Sequence, residues 1–149
     1  MKKDTLKTLQ LYYAGLLSEI LSLLDKHRLL SITAIQKQAE DIISAPGRVR
    51  QHNLRNPQDV FQSHRRIFGF SDWKVEKGTD AYIVSSSSCK LFKICSAIDA
   101  PEPCTICCIN PLRALCSALP QSAKLSVNTT LAESSECKFT INNNFNRGL

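Results

Sequence analysis

The chain has few glycines, only 5 in 149 residues, and no glycine-rich phosphate loop or Gly-x-Ser-x-Gly elbow. That argues against nucleotide binding through a glycine-rich turn and against a serine nucleophile on a strand-to-helix turn. No apolar run reaches the roughly 18 residues of a membrane span. Histidine occurs only at His27, His52 and His64, all outside the cysteine-rich half. A Cys–His dyad would therefore need the fold to carry His52 or His64 across to that half, and His64 reads more readily as a packing residue. Paired carboxylates are scarce too. Asp99 and Glu102 flank the cysteine cluster, and Glu133 and Glu136 sit on a turn. The basic start, Met1-Lys2-Lys3, leads into an amphipathic segment interrupted by Gln10, Ser18 and Glu19, with no small-residue cleavage site. This is a poor signal peptide, and the expected location is cytoplasmic.

What is present is an ordinary globular composition, 43% hydrophobic and 21% charged, too apolar for a disordered chain. Charge and cysteine are unevenly placed. Of the net +6, residues 1–75 hold 12 basic and 7 acidic side chains, and residues 76–149 hold 7 and 6. The excess is densest where Arg48, Arg50, Arg55, Arg65 and Arg66 face only Asp59. Such a segment, 48–66, suits a phosphate backbone or an acidic ligand, but Phe61 is the only aromatic residue among the arginines and no recognition motif accompanies them. A solvated basic face is the simpler reading, and a nucleic-acid-binding regulator is the least favoured function.

Hydrophobic periodicity predicts a helix over 5–25, with Leu6, Leu9, Tyr13, Leu16, Leu17, Ile20 and Leu24 recurring at three- and four-residue spacing. Leu11, Tyr12, Leu21 and Leu23 widen its apolar stripe beyond one face, so the expected partner is a second copy of the chain: a homodimer through residues 5–25. A second helix is expected over 32–44, stopped by Ala45-Pro46-Gly47, with a basic loop after it. Asn56-Pro57 starts a third that ends at Gly69. Strand character follows from Trp73 to Ser88 with a turn at Gly78-Thr79-Asp80, then a helix from Cys104 to Leu119. Leu125 to Ile141 forms a hairpin with one apolar face. The expected fold class is α+β: an antiparallel sheet with N-terminal helices and one inserted helix packed on it, a single domain over 1–145 with a helical part (1–69) and a sheet part (70–142). The tail, 143–149, is expected to fray.

Five of the seven cysteines, Cys89, Cys95, Cys104, Cys107 and Cys108, lie within twenty residues, and Cys116 and Cys137 follow. Three readings compete: buried packing residues, a metal site, or reactive thiols. Cys104-x-x-Cys107 has the spacing of half a tetrahedral zinc site, and Cys89 and Cys137 are the candidates to complete it with zinc or iron. Pro103 would place Cys104 near a helix start, where the dipole lowers a thiol pKa, making Cys104 the candidate nucleophile. Cys108 is expected to point away from Cys107, Cys95 to lie in a loop and Cys116 to pack in the core.

From Phe68 onward the order of features resembles the 4-vinyl reductase domain superfamily, in particular the L-2-amino-thiazoline-4-carboxylic acid hydrolase-like proteins. The matching pieces are Phe68-Gly69-Phe70, Val75 to Asp80, Cys89-Lys90-Leu91, Cys104-x-x-Cys107, Val127 to Leu131, and Cys137-Lys138-Phe139-Thr140-Ile141, about half the chain. The sequence departs from the pattern at Cys89-Lys90, where the family has Cys-Pro, and at Ser126 and Thr129, which stand where related sensor domains have the middle two metal ligands. The resemblance implies an antiparallel sheet backed by helices with an apolar small-molecule pocket between them. The implied function is a small-molecule-binding or sensing domain whose cysteine cluster takes a metal or responds to redox. The alternative is a cysteine-dependent hydrolase of a small cyclic amide or thiazoline.

Overall fold

The computed structural model describes residues 2–143. Its elements are α1 (Lys3–Lys26), α2 (Leu30–Gln51), α3 (Pro57–Phe68), β1 (Lys74–Lys77), β2 (Ala81–Ser86), α4 (Lys90–Ala97), a π-helix (Cys104–Ile109), α5 (Asn110–Ser117), β3 (Ala123–Thr129) and β4 (Cys137–Asn143). This is an α+β fold. The four strands form one antiparallel sheet in the order β1-β2-β4-β3. The expected tail falls largely on 144–149, outside the described residues. Among the described residues no helix is long and apolar enough to cross a membrane.

The strands follow the period-2 rule. Tyr82, Val84 and Ser86 of β2, Cys137, Phe139 and Ile141 of β4, and Ala123 and Leu125 of β3 turn one face inward. Val84 and Val127 both stand opposite Phe139. The β3–β4 register slips between Val127 and Thr129, leaving Asn128 as a bulge. Phe61, Val60, Leu112 and Cys116 cover this face from α3 and α5. A second cluster forms where Ala14 and Leu21 of α1 meet Leu91 and Cys95 of α4. A run of aromatic contacts links the two, from Tyr13 through Phe68 and Phe70 to His64, Trp73, Phe61 and Phe139.

Three local expectations change. The second helix runs straight through Pro46 and Gly47 to Gln51 instead of stopping at 44. Pro46 removes one backbone donor, but the helix is held on both sides of it by Ala45 and Val49, 1% and 7% exposed, and α2 lies along α5. Tertiary packing overrides the local breakers. The expected basic loop is therefore partly helix, with Arg48 and Arg50 in the last turn of α2. The connection between β2 and β3 also holds more than the expected inserted helix. Residues 90–97 form α4, so Cys89 is its N-cap rather than a strand end, and Cys95 is helical and buried rather than in a loop. The third helix matches its reading closely. Asn56 Oδ1 accepts the Asp59 N–H at 2.9 Å, and Gly69 closes the helix at φ +63°.

A cysteine-lined cavity as candidate functional site

The cavity is built by three stretches far apart in sequence. After β2, Ser86 Oγ donates to Ser88 O at 2.8 Å, which turns the chain into α4. Cys89 caps that helix, its Sγ accepting the Phe92 N–H at 3.4 Å. After Pro101-Glu102-Pro103 the chain winds into the π-helix, and on the sheet Cys137 opens β4 opposite Ser86. Together these place Cys89, Cys104, Cys108 and Cys137 around one apolar cavity, closed by Trp73 and Phe139. Its volume is about 20 Å³, room for a water-sized body.

Three of the four residues picked out by sequence, Cys89, Cys104 and Cys137, line this cavity; Cys107 does not. Cys107 packs instead in the second cluster, beside Leu17, Cys89 and Ile106. Cys108 takes the fourth place. The wider π turn, closed by i→i+5 bonds, advances each residue by less than the roughly 100° of an α-helix. Three steps from Cys104 then fall well short of a full turn, and four steps bring Cys108 nearly in line with it. The zinc half-site spacing, and not helical geometry, is what points to Cys107: residues i and i+4 share a face in an α-helix as well, so Cys108 is a neighbour of Cys104 under either winding.

The surroundings of Cys104, Cys107, Cys108 and Cys137 disfavour the thiolate. Burial, and after it the Glu102 carboxylate, push the Cys104 thiol far above its usual value. Glu102 Oε2 also accepts the Cys104 backbone N–H at 3.0 Å, and Oε1 accepts from Thr105 Oγ1 at 3.4 Å. The helix start that was expected to activate Cys104 is therefore occupied by a negative charge, and its six residues are π-helical. Cys107 is pushed up to about 11 by burial, against the opposing pull of Lys37. Burial likewise raises Cys108, Cys137 and Cys95, and raises Cys116 to about 12. A hydrolase needs a thiolate with a base in reach, and these surroundings favour the thiol.

Metal binding makes a different demand, three or four donors converging on one point. Among the described residues no group of three or more His, Cys, Asp or Glu side chains meets it. The four cavity thiols share walls without converging, so they do not fit a zinc or iron site in this arrangement. His64 lies buried among Phe68, Phe70 and Trp73, with its Nδ1 engaged by the Trp73 indole. Compared with known protein families and with curated proteins, the sequence matches neither.

Proposed function

We propose that this chain is a small-molecule-binding or sensing domain of 4-vinyl reductase type, acting as a homodimer, with the cysteine-lined cavity as its responsive site. The observation that carries the reading is the gathering of four thiols from three separate stretches at one apolar cavity between sheet and helices. Packing alone does not need sulfur at four such positions, and π-helical turns recur at functional sites. Partly buried thiols at an apolar cavity suit a soft, apolar ligand or an oxidant better than a charged substrate. All seven cysteines are free, in keeping with a reducing cytoplasm. At about 20 Å³ the cavity admits a ligand only when its walls part.

The dimer reading rests on α1. Leu9, Leu16 and Leu23 are 51%, 54% and 56% exposed, and Tyr12 is 75% exposed. A face so apolar is unusual on a monomer. Light scattering at micromolar concentration should give twice the chain mass, and the monomer mass would remove this part.

Trp73 is the single tryptophan and lines the cavity, so its fluorescence reports occupancy. The test is a fluorescence screen of small apolar molecules, paired with elemental analysis and native thiol titration. Binding that shifts Trp73 emission and is altered by Cys108→Ala supports the reading. About one metal per chain with protected thiols would show instead that the cluster rearranges around an ion. No metal, no emission change and seven slow thiols would reduce the cysteines to packing residues.

A further inference from the structure

Trp73 Nε1 donates to His64 Nδ1 at 3.3 Å. Indole nitrogen can only donate, so Nδ1 is the acceptor and the imidazole proton sits on Nε2. That Nε2–H is buried and has no partner among the described residues, with His64 only 5% exposed. An unpaired buried donor costs about 1–3 kcal/mol, and native proteins rarely leave one without a reason.

His64 lines a cleft of about 410 Å³ between the last turn of α2 and α3, within the roughly 300–1,000 Å³ typical of ligand sites. Leu54, Val60, Ile67 and Leu115 give it apolar walls, and Arg48 stands among its lining residues. Among the described residues no acidic side chain lines the cleft. Among the described residues Arg48 has no carboxylate within 4.0 Å. The last carbonyls of α2 do not compete for these donors' ligand, because His52, Asn53 and Leu54 donate to Arg48 O, Arg50 O and Val49 O. The cleft thus offers an exposed guanidinium and apolar walls, with His64 among its lining residues and the Nε2–H itself covered, so that a ligand reaches it only when the lining side chains move.

We propose that the α2–α3 cleft binds a small organic acid with an apolar body, its carboxylate held by Arg48 and the His64 Nε2–H. The carboxylate supplies the missing acceptor, and the hydrocarbon part covers Leu54, Val60, Ile67 and Leu115. A bare anion would leave those walls wet, and a neutral apolar molecule would leave the donor unpaired. The site shares no lining residue with the cysteine cavity, although the Trp73–His64 bond touches both, and it does not depend on the function proposed for that cavity.

The probes are hexanoate, hexanol and inorganic phosphate, titrated into the full chain by calorimetry, with the imidazole resonances followed by NMR. Hexanoate should bind and shift the His64 Nε2 resonance, and hexanol and phosphate should each bind at least about tenfold more weakly. Arg48→Gln, a change at an exposed position, should weaken hexanoate by about tenfold. The proposal fails if hexanol matches hexanoate, if phosphate matches it, if Arg48→Gln has no effect, or if no binding appears up to about 10 mM. A hexanoate complex that leaves the His64 resonance in place also overturns it.

Discussion

The indole of Trp73 and the imidazole of His64 form a buried hydrogen bond at 3.3 Å, and it joins α3 to the chain entering the sheet. Trp73 in turn meets Phe61 edge-on at 5.2 Å and Phe139 at 5.5 Å. One hydrogen bond therefore sets the tautomer of a helix histidine and seats the ring that closes the cysteine cavity.

This bond has a pH signature. Burial lowers His64 from 6.5 to about 4, so the unfolded chain takes up a proton first as pH falls. The folded state keeps its full stability above pH 6.5, loses it progressively toward pH 4, and loses no more from this group below that. Arg48 and His52 line the same cleft. Urea unfolding at pH 7.5 and pH 5 should show a loss of about 2 kcal/mol, within the roughly 3 kcal/mol that the whole shift allows. His64→Phe should flatten the slope between these pH values. An unchanged slope would show that His64 is solvated.

Gly69 closes α3 in the left-handed region, and a Cβ there would overlap Gln10 Oε1. Gln10 Nε2 donates to the carbonyls of Arg66 and Ile67 at 3.0 and 3.2 Å, so α1 caps the end of α3. Gly69→Ala should cost about 1–2 kcal/mol from backbone strain and lost capping. Gln10→Ala should cost about 1 kcal/mol. The double variant should cost less than the sum, because both remove the same contact. Strict additivity in chemical denaturation would disprove the coupling.

Asp41 is 6% exposed, and both its oxygens accept from Lys37 Nζ at 3.1 Å. Lys37→Met leaves this carboxylate buried without its cation, an expected loss of about 1–3 kcal/mol. The same lysine pulls the Cys107 thiol pKa down, so the variant should also label more slowly at Cys107. Unchanged stability with unchanged labelling would mean that Lys37 is solvated.

The thiols themselves make the last prediction. Iodoacetamide at pH 7.5, read by mass spectrometry, should modify Cys104, Cys108 and Cys116 far more slowly than a free cysteine, because each pKa is raised by burial. Labelling of Cys107 should climb only as pH approaches about 11. Rapid modification of Cys104 at neutral pH would restore the nucleophile reading.

The sequence by itself determined what depends on short-range pattern. The Asn56-Pro57 start, the Gly69 stop and the hairpin of β3 and β4 each act through neighbouring residues and appear in the fold, the strict alternation of β3 holding only as far as Val127, where the Asn128 bulge interrupts it. The tertiary structure decided three other matters. Whether α2 ends at Pro46 depends on α5, which holds Ala45 and Val49 in place on either side. Whether residues 90–97 form a helix depends on Leu91 and Cys95 docking on α1, where Cys95 Sγ meets Ser18 Oγ at 3.2 Å; eight residues are too short to declare themselves alone. Which thiol joins Cys104 was decided by how residues 104–109 dock: Cys108, about one turn on, lines the cavity, and Cys107 packs in the second cluster. The unpaired His64 Nε2–H was equally hidden, because it follows from a partner nine residues away and a cleft shared by three helices. Pattern reports the faces of single elements, whereas the meeting of donors, thiols and charges depends on how those elements cross.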